Sequence, residues 1–94
     1  MNNPHQLAER RHELSVLYAR ASEQLGTILS EKPREWLKIR QDTKSDKSAD
    51  LEWDASEVGK EEIRLRYLLK GMEKEISGIK TLLDVLSNES RNQY

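Results

Sequence analysis

The chain has no cysteine and no phenylalanine, only two prolines and four glycines among 94 residues, and no long apolar run. The missing cysteines exclude a disulfide framework and thiol chemistry. No stretch approaches the ~20 apolar residues that span a bilayer, and the N-terminus lacks an apolar signal region. A cytoplasmic protein is expected, in the host cytoplasm if the chain is phage-encoded. Apolar residues make up only 35% of the sequence, and charged residues another 35%. One copy of so short and polar a chain struggles to build a compact core. Coiled coils escape that limit, because a narrow seam needs few apolar side chains.

Such a seam is present. From Val58 onward, Leu65, Leu69, Met72, Ile76, Ile79, Leu83 and Leu86 alternate spacings of four and three. That rhythm keeps one helix face apolar and predicts packing against partner helices. Nearer the start, Asn3, Pro4 and Gln6 make a helix opening: a cap, a first-turn proline and a capping-box residue. An apolar stripe follows through Leu7, Leu14, Leu17, Tyr18, Ala21, Leu25, Ile28 and Leu29, with Arg11 interrupting it.

These signals predict an all-α fold, with two long helices forming a coiled-coil helical hairpin that assembles into a homo-oligomer. The regular second seam is the expected oligomer axis. Within one helical domain, residues 1–94, helix 1 is expected over 3–31. Pro33 then kinks or restarts the chain, leaving a short helical piece over 33–41 with Trp36, Leu37 and Ile39. Residues 42–55 read as a polar connection with Leu51 and Trp53 as anchors. Asp54 with Glu57 resembles the next capping box. Helix 2 is expected over 56–88, and a fraying tail over 89–94 unless Tyr94 docks.

Gly71 and Gly78 lie one heptad apart beside the seam, each costing about 1 kcal/mol in a helix interior. Either a third helix approaches closely there, or the packing tolerates them. Glu62 falls on a seam position, where it sets register or ends the tight packing, the competing reading being simple fraying of the helix start.

The net charge of −1 conceals two opposite blocks. Lys32, Arg34, Lys38, Arg40, Lys44 and Lys47 crowd residues 32–47. Asp50, Glu52, Asp54, Glu57, Glu61 and Glu62 crowd residues 50–62. The blocks could pair with each other, between subunits, or with separate partners. Arg34, Trp36, Lys38, Arg40, Lys44 and Lys47 are the candidate nucleic-acid contacts, since single strands are held by basic grooves and stacked aromatics. Trp53 and Tyr67 could extend that surface. A structural role for Trp36 and a solvated face for the lysines is the competing reading. Arg66, Lys70 and Lys74 line one stripe of helix 2, a pattern most often found on solvated rims.

No catalytic site is expected. The chain has no nucleophile elbow and no phosphate-cradling glycine loop. His5, Glu9 and His12 include an E-x-x-H step known from di-metal bundles. They point away from the apolar stripe, so neither a metal nor a cofactor is expected. Asn88-Glu89-Ser90 matches a glycosylation acceptor by chance.

The strings PREWLKIRQDTKSDKSADLEW and LRYLLKGMEKEISGIKTLLDVLSNESRNQY carry a resemblance. Over roughly residues 32–94 the layout is similar to UvsY-like phage recombination mediators: a helix with a Trp-Leu pair, a basic polar connection, and a long heptad helix closing on a polar tail. The resemblance implies a ring-like homo-oligomer of helical hairpins that binds single-stranded DNA and helps load a RecA-like recombinase. Arg34, Lys38, Arg40, Lys44 and Lys47 would then be the DNA contacts. This chain is shorter than such mediators, and its acidic 50–62 block would repel phosphate unless it faces elsewhere. The leading expectation is an accessory nucleic-acid-binding protein of phage type. The alternative is a coiled-coil protein-interaction module, an assembly scaffold or a small inhibitor of a host factor. Neither has a small-molecule substrate.

Overall fold

The computed structural model describes residues 3–92, with side chains as far as Glu89. It is all-α: α1 spans Pro4–Gln41, α2 spans Asp46–Ala55 and α3 spans Glu57–Asn92. The body measures 69 × 20 × 19 Å. Its radius of gyration of 20.0 Å far exceeds the ~12 Å of a compact chain of this length.

α1 begins where the sequence places its cap. The Asn3 side chain accepts a hydrogen bond from the Gln6 amide at 2.8 Å, and Pro4 occupies the first turn. The helix then runs unbroken through Pro33 to Gln41, instead of stopping or restarting there. Pro33 removes one donor, but packing on both sides holds its flanks. Ile28 and Lys32 lean on α3, and Trp36 is tied to α2.

The stretch expected to be an irregular connection contains α2. Ser45 caps it by accepting from the Ser48 amide, and Asp46 sits in the first turn, where a negative charge suits the helix dipole. Ala49 and Trp53, four residues apart, form its buried stripe. Only Asp42 to Ser45 separate α1 from α2, and only Ser56 separates α2 from α3.

Ser56, rather than an Asp54–Glu57 box, starts α3. Its hydroxyl donates to the Trp53 carbonyl at 2.6 Å and accepts from the Gly59 amide at 3.0 Å. This turn folds the α3 backbone onto the end of α2. At Gly59, a Cβ would stand 1.7 Å from the Trp53 carbonyl oxygen. Gly59 is therefore the glycine on which a close approach depends. Gly71 and Gly78 have nothing within 4 Å of where their Cβ atoms would be, so no third helix of this chain approaches them.

α1 and α3 run antiparallel. Leu7 lies level with Ile79 at one end, and Lys32 meets Glu62 near the other. The core between them is Leu7, Leu14 and Ala21 from α1 with Leu65, Leu69, Met72 and Ile79 from α3. Tyr18, Leu25, Ile28, Ile76, Leu83 and Leu86 complete it, half-buried. All seven seam residues thus belong to the core that α3 shares with α1 of the same chain. Within one copy the seam has its partner, where the sequence had suggested an axis between subunits. Arg11 is exposed, and so is Leu17 at 45%.

Leu65 is fully buried at the first position of this seam. Leu65→Ala removes three carbons and leaves a cavity in a core of few members. The expected loss is about 3 kcal/mol, read as a lower midpoint in urea with the slope unchanged.

Candidate functional site

The most tightly built polar site lies where the three helices meet. α3 supplies Glu62 and Arg66, α2 supplies Trp53, and α1 supplies Lys32. Glu62 is 7% exposed. One carboxylate oxygen accepts from the Trp53 indole N–H at 3.0 Å and from Lys32 Nζ at 2.9 Å. The other accepts from Arg66 Nε at 2.8 Å. Lys32 Nζ also stands 5.3 Å from the centre of the Trp53 ring, within cation–π range. Burial pushes the Glu62 carboxyl up. The hydrogen bonds from Lys32, Arg66 and Trp53 outweigh it and hold the acid at about 2.

No buried polar atom of this cluster lacks a partner, and no bound group is needed to complete it. Chemically it is a clamp. A carboxylate held ionised by two cations and an indole is a poor general acid or base. Glu62 therefore ties α3 to α1 and α2 through its seam position, and the helix there is ordered rather than frayed.

The six residues predicted to contact nucleic acid fall at the same end of the molecule, and four of them are engaged within the chain. The Trp36 indole donates to Asp50 Oδ1 at 2.8 Å, and the ring is half-buried. Arg40 Nε pairs with Asp46 at 2.8 Å, and its Nη1 donates to the Thr43 carbonyl at 3.0 Å. Lys38 and Arg34 both reach Glu35, at 3.2 and 3.7 Å. Lys44 and Lys47 form no ion pair among the described residues. The acidic block thus meets the basic segment through the Lys32–Glu62 ion pair and the Trp36–Asp50 hydrogen bond, whereas Arg40–Asp46 closes within residues 32–47.

Trp53 is 3% exposed and cannot stack on a base as it stands. Tyr67 is 72% exposed, but it lies on α3 beside Ile63 and Lys70, on a different element from the basic block. Leu51 is exposed at 62%, so of the two expected anchors only Trp53 serves.

Two further links cross from α1 to α3. Arg10 Nε donates to Glu75 at 3.0 Å, and the Tyr18 hydroxyl donates to Glu73 at 2.6 Å. The hydrogen bond to Glu73 raises the Tyr18 hydroxyl above its ordinary value. His5 pairs with Glu9 at 2.9 Å on an exposed face, and no cluster suited to a metal occurs among the described residues. No described helix is long and apolar enough to cross a membrane. Tyr94 lies outside the described residues.

Lys32, Glu62 and Gly59 are the positions that the sequence did not connect. Lys32 and Glu62 are thirty residues apart, and only the Ser56 turn brings Trp53 back over Glu62. No family model, curated protein or solved structure matches the chain.

Proposed function

We propose that this chain is a protein-interaction module, an assembly scaffold or a small inhibitor that works through its helix faces. The observation that carries the reading is the apolar surface left over once α1 and α3 have packed. Leu17, Leu68, Leu82 and Val85 remain between 41% and 47% exposed along one elongated body. Leu17 adjoins Leu68, Leu82 and Val85 are one turn apart on α3, and exposed apolar patches on a small protein mark binding faces. The polar groups of the Glu62 clamp, by contrast, are spent on one another within the chain.

The second reading is the accessory single-stranded DNA protein with a RecA-like recombinase as partner. Lys44 and Lys47, free of ion pairs among the described residues and close to Arg34 and Lys38 in sequence, favour it. The two readings separate in one titration. Fluorescently labelled single-stranded DNA at low ionic strength is expected to show no saturable binding. A salt-dependent shift that disappears on reversing the charges of Lys38, Arg40, Lys44 and Lys47 would establish the second reading instead.

A further inference from the structure

α3 carries a second heptad row that its own chain leaves uncovered. Leu68, Gly71, Glu75, Gly78, Leu82 and Val85 repeat at three and four residues, beside the seam that packs on α1. Leu68 is 41% exposed, Leu82 46% and Val85 47%. Above Gly71 and Gly78 the space is open. Glu75, the row's one charge, is held by Arg10 of the same chain.

We propose that this row binds a second copy of the chain, α3 against α3, antiparallel about a two-fold axis between Glu75 and Gly78. The inference rests on the interaction-module reading and names its partner. The row supplies its own complement. In antiparallel heptad packing, Gly71 faces the partner's Leu82, Gly78 faces the partner's Glu75, and Leu68 faces the partner's Val85. Each glycine thus meets a large side chain, and the two-fold repeats every pair, as a contact between identical surfaces requires. Lys74, flanking the row, comes to lie beside the partner's Thr81 rather than its own copy. A parallel arrangement would set glycine against glycine and Glu75 against Glu75, leaving voids and like charges together.

The elongated body offers a long face for such a contact. The chain exposes 7349 Å², whereas a compact protein of its mass exposes about 5,600 Å², and a stable interface takes about 800 Å² from each partner.

The test exploits the glycines. In one copy their Cβ positions are free, so Gly71→Gln with Gly78→Gln should raise helix stability, glutamine being the better helix former. The same change fills the holes that Leu82 and Glu75 of the partner would enter. Light scattering is expected to give twice the 11.0 kDa chain mass for the natural sequence. The double variant is expected to be no less thermally stable, yet to dissociate at a concentration about tenfold higher or more. Mixed Leu68→Cys and Val85→Cys chains should form a disulfide-linked pair on oxidation, and Leu68→Cys alone should not.

A monomeric natural chain, an undiminished dimer in the double variant, or cross-linking of Leu68→Cys to itself would each overturn the proposal. Association that survives the glycine changes leaves the interaction-module reading standing with another face. Saturable DNA binding removes that reading whatever the mass.

Discussion

Gly59→Ala is expected to be the most damaging single methyl group that can be added to this protein. Its Cβ would lie 1.7 Å from the Trp53 carbonyl oxygen and 2.6 Å from the carbonyl carbon. Both are backbone atoms, so no side-chain rotation relieves the overlap. That carbonyl is also fixed by two hydrogen bonds, from the Ser56 amide at 3.0 Å and the Ser56 hydroxyl at 2.6 Å. Relief requires the ends of α2 and α3 to separate, which draws Trp53 away from Glu62 and out of its buried site. Overpacking costs about 1–3 kcal/mol where neighbours can yield. Here the cost should reach at least the top of that range, a fall in Tm of about 12 °C or more for a chain of this length. The emission of Trp53 should shift to the red in the variant. Gly71→Ala is the control. It meets open space and should leave Tm level or raise it, because alanine is the better helix former by about 1 kcal/mol.

Glu62→Gln should have the second-largest effect. The substitution keeps the shape and removes the charge that two cations and an indole address. Breaking a buried ion pair from one side costs about 3–5 kcal/mol. Lys32 and Arg66 are themselves 33% and 51% exposed, so water recovers part of their loss. The net expectation is about 2 kcal/mol.

The effect has a pH signature. In the folded chain the Glu62 carboxyl sits at about 2, below the ~4.3 of an unfolded glutamate. Its contribution is therefore full above the unfolded value and is lost as the pH falls through the folded one. The stability difference between the natural chain and Glu62→Gln should be largest near neutrality. It should shrink between about pH 4.5 and pH 2. A difference independent of pH would mean that Glu62 acts by packing alone.

The sequence made the long-range skeleton legible and its electrostatics much less so. Leu65, Leu69, Met72, Ile76, Ile79, Leu83 and Leu86 announced their shared face, because a heptad repeated over three turns of the pattern has few other meanings. Asn3 and Pro4 announced the start of α1. α2 was missed for a reason of length: ten residues carry a single buried pair, Ala49 and Trp53, and one i, i+4 step is no periodicity. The Ser45–Ser48 cap was its only strong local signal. Pro33 suggested a break because its local cost is plain in the sequence, whereas the contacts that offset it come from α2 and α3. The opposed charge blocks were visible, but the matching of Arg40 with Asp46, Trp36 with Asp50 and Lys32 with Glu62 depends on two turns, at Asp42–Ser45 and at Ser56. The heptad also said that a helix face is covered without saying by which chain. That choice follows from the tightness of those same turns, which return α3 along α1.

The closing of the seam within one chain is the claim on which the rest depends, because it is what leaves the Leu68–Val85 row as the free face. Spin labels at Ser15 and Ser77 test it directly. Both residues are exposed, and they lie about one turn from the Tyr18–Glu73 hydrogen bond on its same side, toward the start of α1 and the end of α3, which places them level across the antiparallel pair. Double electron–electron resonance should report one short distance, unchanged when the doubly labelled chain is diluted into a large excess of unlabelled protein. Loss of that distance on dilution would show that α1 and α3 of different copies make the seam, and would contradict the account.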